Sequence, residues 1–277
     1  MKLIKTKVKN TKKIKKDIYL LSFISGYIAQ QSRPGQFIHI RVPSPEITLR
    51  RPFSIHKIVG NTVYILFRVR GKGTSLLSHY QKGDSLDLIA PLGRGFTIRP
   101  KTRDQRRKVK GKKQKKGKIQ NVMIGGGMGV APLMYLAQTL KKYRGIKSHI
   151  KDMVLLGGKT KEDIVCERGF KDLTFKVVIA TEDGSRGIKG TAIRVLEKML
   201  SSGALEHTVN VYACGPKEMF YSLAKVVKRY PEIDCQISFE QFMGCGLGIC
   251  LGCAIDTKYG YRRVCKDGPV FNIHEVF

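Results

Sequence analysis

The chain has 277 residues, 42% of them hydrophobic, and a formal net charge of +31. That length accommodates two domains with cores of their own plus a small appendage, and the apolar content excludes wholesale disorder. No run approaches the roughly 18 apolar residues of a membrane-spanning helix, and no apolar stretch with a small-residue cleavage site follows the lysine-rich start, so neither a span nor a secretory signal is expected.

The first hundred residues read as short strands. Residues 18–24 are apolar-rich, and 36–42 alternate, with Phe37, Ile38 and Ile40 between polar neighbours. Residues 62–69 are rich in β-branched and aromatic types, and 85–89 form another short run. Pro34-Gly35, Gly60-Asn61, Gly83-Asp84 and Leu92-Gly93 supply turns between them. Many short strands with turn signals predict a small antiparallel β-barrel. Two segments there have ligand-binding chemistry. Arg50-Arg51-Pro52-Phe53-Ser54-Ile55 sets arginine and serine around a rigid proline and an aromatic ring, and Arg offers a planar donor fork for phosphate. Arg68-Val69-Arg70-Gly71-Lys72-Gly73-Thr74 places glycines and a threonine before a predicted helix at 75–80, a possible phosphate cradle. Ordinary surface charge and turn residues are the competing reading of both.

A basic block follows at 99–118, with 12 Lys or Arg against the single acidic residue Asp104. Such a block can bind nucleic acid or an acidic surface by counterion release, or it can be a solvated insertion. No zinc-finger spacing, helix-turn-helix signal or aromatic–basic interleaving accompanies it, so nucleic acid is not the expected partner.

Beyond residue 117 the pattern changes. Strands are predicted at 121–124, 151–156, 175–180 and 208–213, alternating with helices at 131–143, 190–200 and 217–228. That alternation predicts a parallel α/β domain. The turn Gly125-Gly126-Gly127-Met128-Gly129 lies between a strand and a helix, where backbone can approach a nucleotide phosphate, although it is not a strict dinucleotide fingerprint. Tyr212-Ala213-Cys214-Gly215-Pro216 repeats the strand–turn–helix placement and would face the same crevice. Glu182 and Asp183 follow another strand and could hold a ribose hydroxyl or cap the next turn.

The chain ends in a glycine- and cysteine-rich segment. Cys245, Cys250, Cys253 and Cys265 follow C-x4-C-x2-C-x11-C, whose first three positions match the plant-type [2Fe–2S] spacing. Gly246, Gly248 and Gly252 let such a loop turn tightly and aim N–H groups at sulfur. Structural zinc is the rival, but zinc prefers cysteine pairs on separate knuckles. Cys166 and Cys235 lie outside the spacing and read as ordinary buried thiols. The six histidines are scattered, and no catalytic acid–base residues are expected.

Taken in order, RRPFSI at 50–55, RGKGT at 70–74, GGGMGVAPL at 125–133, TEDGSRGIKG at 181–190, YACGP at 212–216, FEQFMGCGLGICLGCAI from Phe239 and YRRVCKDGPVF from Tyr261 resemble the ferredoxin–NADP reductase superfamily. More narrowly, they are similar to electron-transfer subunits of two-component, NAD-linked dihydroorotate dehydrogenases. The resemblance implies a β-barrel FAD-binding domain at 1–98, a basic insertion or linker at 99–118, an α/β nicotinamide-nucleotide domain at 119–234 and a [2Fe–2S] module at 235–277. It implies that Arg51, Pro52, Phe53, Ser54, Arg68, Val69, Gly73 and Thr74 contact FAD. Gly125, Gly126, Gly127, Gly129, Cys214 and Gly215 would flank NAD, and the four cysteines would hold the cluster. The implied partner is an FMN-containing catalytic subunit, in a cytoplasmic heterotetramer of two subunits of each kind. Electrons would run from FMN through [2Fe–2S] and FAD to NAD+. A reductase subunit of a ferredoxin:NADP or sulfide-linked oxidoreductase is the neighbouring alternative. The basic block departs from the family pattern.

Overall fold

Alternation sets the first sheet. From Lys2 onward, Ile4, Thr6 and Val8 turn inward while Leu3, Lys5 and Lys7 face water. This is the signature of a sheet with one solvated face. The computed structural model describes residues 1–98, 119–144, 151–205 and 208–277, so the basic block at 99–118 lies outside the described residues. The first part runs β1 (Lys2–Lys15), β2 (Ile18–Ile24), α1 (Gly26–Gln31), β3 (Phe37–Arg41), β4 (Arg51–Ser54), β5 (Lys57–Val59), β6 (Thr62–Arg68), α2 (Lys72–Ser78) and β7 (Ser85–Leu92). Its strands form one antiparallel sheet in the order β4-β3-β7-β1-β2-β6-β5. The sheet curls into a half-barrel. Phe53 on β4 meets Phe67 on β6, near the opposite edge, with ring centroids 5.5 Å apart. Leu21, Phe23, Ile38, Ile40, Ile65 and Leu88 fill the inside, and each such burial contributes roughly 1.5–3 kcal/mol. Strand β1 escapes the sequence reading because its lysines mask the apolar alternation.

The second part runs β8 (Ile119–Gly126), α3 (Leu133–Arg144), β9 (Met153–Gly158), α4 (Glu167–Asp172), β10 (Lys176–Thr181), β11 (Ile188–Lys189), α5 (Ala192–Ser201), β12 (Thr208–Cys214), α6 (Lys217–Lys228) and β13 (Asp234–Ser238). The sheet order is β11-β10-β9-β8-β12-β13, all parallel. Strand β8 is buried almost throughout, as a parallel strand covered on both faces must be. One face packs on α3 and α4, the other on α5 and α6. The chain proceeds from β8 through β9 to β10 on one side, then returns to place β12 on the other side of β8. The carboxyl ends of β8 and β12 therefore flank the topological switch point, where open α/β sheets bind ligands.

The remaining elements are β14 (Ala254–Ile255), β15 (Arg262–Arg263), β16 (Val270–Asn272) and α7 (Ile273–Val276). Strands β14 and β15 form a small antiparallel hairpin, and β16 adds antiparallel to β13. Here the structure differs from the expected boundary at 234/235. Strand β13 and Cys235 belong to the parallel sheet, and the terminal segment returns to that sheet's edge through β16. Buried Cys235 and Ile237 supply a strand face, which the glycine-rich sequence that follows conceals.

The two sheets share their cores. Ile18, Leu66 and Phe96 pack with the α3 face, and Phe37 and Leu92 with the α5–α6 face. No helix among the described residues is long and apolar enough to cross a membrane.

Candidate functional site

At the switch point two turns are pressed together. Gly125 pairs with Cys214 across β8 and β12. A Cβ on Gly129 would lie 2.1 Å from the Cys214 carbonyl oxygen and 2.6 Å from Gly215 N. One on Gly126 would meet Pro216 at 2.9 Å, and one on Gly215 would meet Met219 at 2.6 Å. These glycines are required by close backbone approach. Gly127 differs: its φ is +54 and an added Cβ would meet nothing within 4 Å. It faces open space at the end of the strand, where a nucleotide phosphate can approach bare backbone. The turn then runs through a short 3₁₀ segment, Gly127–Val130, into α3.

Glu240 also stands at this crevice, with Oε1 4.0 Å from the Cys214 sulfur. Burial, reinforced by Glu240, pushes the Cys214 thiol well above its ordinary value, so it is a neutral thiol. Desolvation likewise raises the Glu240 carboxyl, with Arg70 opposing. Of the acidic residues after β10, Asp183 accepts bonds from Ser185 N at 2.9 Å and Ser185 Oγ at 2.7 Å, which is the turn-capping arrangement. Glu182 lines a groove between α5 and α6.

On the half-barrel, β4 pairs with β3 so that Phe37 faces Ser54, His39 faces Pro52 and Ile40 faces Arg51. The two arginines divide their work. Arg50 is committed to Asp87 through an ion pair at 2.7 Å and a bond to its carbonyl at 2.9 Å. Arg51 donates one bond, to the Leu49 carbonyl at 2.7 Å. A Cβ on Gly73 would lie 3.3 Å from Arg51 Nε, so the fold brings the RPFS strand beside the RGKGT element. Thr74 Oγ1 accepts from Arg70 N at 2.8 Å and Gly71 N at 3.2 Å, ordering that turn. Val69 N bonds the Asp17 carbonyl at 2.7 Å. Arg68, expected beside the diphosphate, pairs with Asp163 of the α/β half at 3.1 Å. Burial alone would raise the Asp163 carboxyl; the Arg68 bond and the Thr160 and Lys159 N–H groups outweigh it and hold the pKa below the ordinary range.

Two buried histidines of the half-barrel, neither legible in the sequence, touch the other sites. His56 Nδ1 lies 2.8 Å from the Ala131 carbonyl, just past the glycine turn. A carbonyl only accepts, so Nδ1 carries the proton and donates. Burial lowers the His56 pKa to about 4, against the Ala131 bond that raises it, and the ring is neutral. His39 is fully buried, and a Cβ on Gly246 would lie 2.4 Å from its Nδ1. The imidazole thus occupies the space a side chain at 246 would need.

Gly246 belongs to the cysteine loop. There Cys245 Sγ accepts from the N–H groups of Leu247 at 3.3 Å, Ile249 at 3.4 Å and Cys250 at 3.5 Å. Cys245 N donates to Cys250 Sγ at 3.4 Å, and Cys265 N to Cys253 Sγ at 3.4 Å. Burial opposes ionisation of Cys245, but the three N–H groups outweigh it and bring the thiol to about 6. Burial and the neighbouring Cys253 push Cys265 up to about 12. Gly246 at φ +69, Gly248 at +83 and Leu251 at +58 make the loop curl. Among the described residues no three His, Cys, Asp or Glu side chains close on one point. The thiols stand as two pairs, 245 with 250 and 253 with 265, within electrostatic reach of each other. All four are free of disulfides. A cysteine-only donor set with N–H groups aimed at the sulfurs of Cys245, Cys250 and Cys253 fits an iron–sulfur cluster. The structure thus sets Arg51 beside Gly73 and the 125–129 turn against Cys214 and Gly215, while the four cysteines stand as two pairs and Arg68 pairs with Asp163.

Residues 240–277 match the family model for the iron-sulfur cluster binding domain of dihydroorotate dehydrogenase B, and 123–225 match the oxidoreductase NAD-binding domain. The dihydroorotate dehydrogenase B (NAD(+)) electron transfer subunit of Caldanaerobacter subterraneus subsp. tengcongensis is 36% identical over 277 residues, covering 99% of this chain and 98% of that protein. Among solved structures, an NADH-dependent reduced ferredoxin-NADP oxidoreductase superposes with a TM-score of 0.78 at 24% identity, over 98% of this chain and 89% of that one. A ferredoxin NADP+ reductase from Neisseria gonorrhoeae with bound FAD and NADP superposes with a TM-score of 0.64 at 15% identity, over 86% and 100%. The structural likenesses carry the reductase fold, and the near-full-length sequence identity carries the family: this chain belongs to the electron transfer subunits of dihydroorotate dehydrogenase B (NAD(+)).

Proposed function

We propose that the chain carries electrons between an FMN-containing dihydroorotate-oxidising subunit and NAD+, holding FAD and a [2Fe–2S] cluster between them. A bound flavin exchanges hydride with nicotinamide and single electrons with iron–sulfur. The chain's own residues supply the seating. Arg51, Ser54, Gly73 and Thr74 would hold the flavin nucleotide, with Pro52, Phe53, Arg68 and Val69 shaping its surroundings. Gly125, Gly126, Gly127, Gly129, Cys214 and Gly215 would seat NAD on backbone. Cys245, Cys250, Cys253 and Cys265 would hold the cluster through their sulfurs. The observation that carries this reading is the position of the β3–β4 pair. It reaches the nicotinamide turn through the chain segment of His56 and the cysteine loop through His39. The strands proposed to hold the flavin thus touch both of the other sites, which supports a two-way electron carrier.

The cysteine loop also has an outward face. Phe242 is 93% exposed, Ile249 77% and Tyr261 81%. Large apolar groups left exposed within one short segment suit a protein-binding surface, and we assign it to the catalytic partner, two of each subunit assembling in the cytoplasm. The test is co-purification under anaerobic conditions, followed by assay of dihydroorotate-dependent NAD+ reduction. The expected result is activity that needs both subunits, with FAD and a [2Fe–2S] spectrum on this one. Flavin and cluster with a different partner, and no dihydroorotate activity, would move the chain to the ferredoxin- or sulfide-linked reductases.

A further inference from the structure

Arg263 stands at the end of β15, two residues before Cys265. Its Nη1 donates to the Gly248 carbonyl at 3.0 Å, inside the loop that carries Cys245 and Cys250. Its Nε donates to the Asp267 carboxylate at 3.1 Å, and its backbone N–H donates to the same oxygen at 2.9 Å. The Arg263 carbonyl accepts from Lys266 N at 3.1 Å and Asp267 N at 2.7 Å. One residue thereby ties the 245–250 loop to the 263–267 turn, which the chain otherwise joins only through residues 251–262. Surface ion pairs are worth little; this one is partly buried, on the Asp267 side above all, with the Arg263 side chain 31% exposed and that of Asp267 14%. Cys265 and Cys253 lie within electrostatic reach of the guanidinium. No other charged side chain described here bonds both cysteine-bearing segments.

We propose that Arg263 is a positioning residue for the iron–sulfur cluster and that, with Asp267, it sets the cluster's reduction potential. The proposal rests on the reading that the four cysteines hold that cluster. Reduction adds one negative charge at the sulfurs and irons. A nearby cation favours that state, and a nearby carboxylate opposes it. The pair therefore has two members of opposite effect, which a purely structural clamp would not have.

The test uses the intact complex, with the cluster signal followed by electron paramagnetic resonance through a redox titration. R263Q is expected to make the potential more negative and D267N to make it less negative. Each shift is about tenfold in the one-electron equilibrium, or about 59 mV. R263K keeps the charge and is expected to stay near the wild-type potential. It lacks the planar fork that spans Gly248 and Asp267, so it should release iron to a chelator several-fold faster. R263Q and D267N shifting in the same direction, or neither shifting, would overturn the proposal, as would R263K matching R263Q in potential. If R263Q does not fold, D267N and R263K still decide the matter by the sign of one shift and the absence of the other. Iron and acid-labile sulfide in the wild type separate the two readings. A wild-type chain without them overturns the cluster itself, whereas a normal cluster with unmoved potentials overturns only the role of Arg263.

Discussion

In the proposed function, the chain would offer side chains to a ligand around Arg51 and bare backbone around Gly127. On the half-barrel, recognition needs a guanidinium with donors left over, and Arg50 secures that by taking Asp87 for itself. At the switch point, recognition needs the removal of side chains, and four of the five glycines there are already filled up to the space a Cβ would need. Substitution in the first region should therefore change ligand affinity and leave the fold. Substitution in the second should change the fold itself, except where the glycine faces open space.

Gly129→Ala is the most severe way to press on that difference. The new Cβ would meet the Cys214 carbonyl oxygen and Gly215 N, both backbone atoms of the facing turn. Neither is a flexible side-chain end, so β8 and β12 must part. Overpacking costs typically 1–3 kcal/mol and more where backbone must move, and we expect about 3 kcal/mol or above. At 2–4 °C per kcal/mol for a domain pair of this size, Tm should fall by roughly 6–12 °C, and NADH binding should be lost with it. A variant with unchanged melting would show that the two turns are not as closely pressed as their backbones indicate.

The two regions meet at His56, and there the coupling is titratable. Its folded pKa is about 4, against 6.5 in the unfolded chain. Between those values the unfolded state binds a proton that the folded state does not. The stabilisation is thus complete above pH 6.5 and is lost as pH falls toward 4. The full span corresponds to about 3 kcal/mol. Urea midpoints for wild type and His56→Gln, measured from pH 7.5 to 4.5, should converge as the pH falls. A difference that stays constant with pH would show that His56 is not held neutral against Ala131.

Arg51→Ala should leave melting of the apoprotein nearly unchanged and weaken FAD. A charge-assisted bond to phosphate is worth about 1.5–3 kcal/mol, which is tenfold or more in dissociation constant. Arg50→Ala gives the contrast: it strands Asp87 half-buried and should destabilise the sheet before it affects the flavin. Equal effects of the two on FAD affinity would break the division of labour between them.

What could be read from the sequence follows the range of each contact. The cysteine spacing and both glycine turns are local, and each was visible with its chemistry. Strand β8 was visible because a strand buried on both faces is a plain apolar run. Strand β1 was not, because its outward lysines hide Ile4, Thr6 and Val8. Strand β13 is hidden for a similar reason, since it is short and lies directly before the glycine-rich loop. The residues that join the sites were beyond reach. His39 lies against Gly246, His56 bonds Ala131, Arg68 pairs with Asp163, and Glu240 sits beside Cys214. Each contact spans many residues of chain, and no motif announces a neutral histidine wedged between sheets. Arg263 lies within a family-like stretch, but its bond to Gly248 forms only when the loop has folded.

The mildest change asks whether Gly127 is the place where backbone meets nucleotide. An alanine there has room, with no heavy atom within 4 Å of its Cβ. Its cost is the left-handed φ of +54, about 1–2 kcal/mol, so Tm should fall by only a few degrees. The methyl group would nonetheless project into the space from which a phosphate would approach. Steady-state reduction of an artificial acceptor should then show a raised KM for NADH, with the flavin content and cluster spectrum unchanged. A KM that stays at the wild-type value would mean that the nucleotide passes elsewhere. The bare-backbone half of the comparison would then hold only for the packed glycines, which are needed for the fold and not for the ligand.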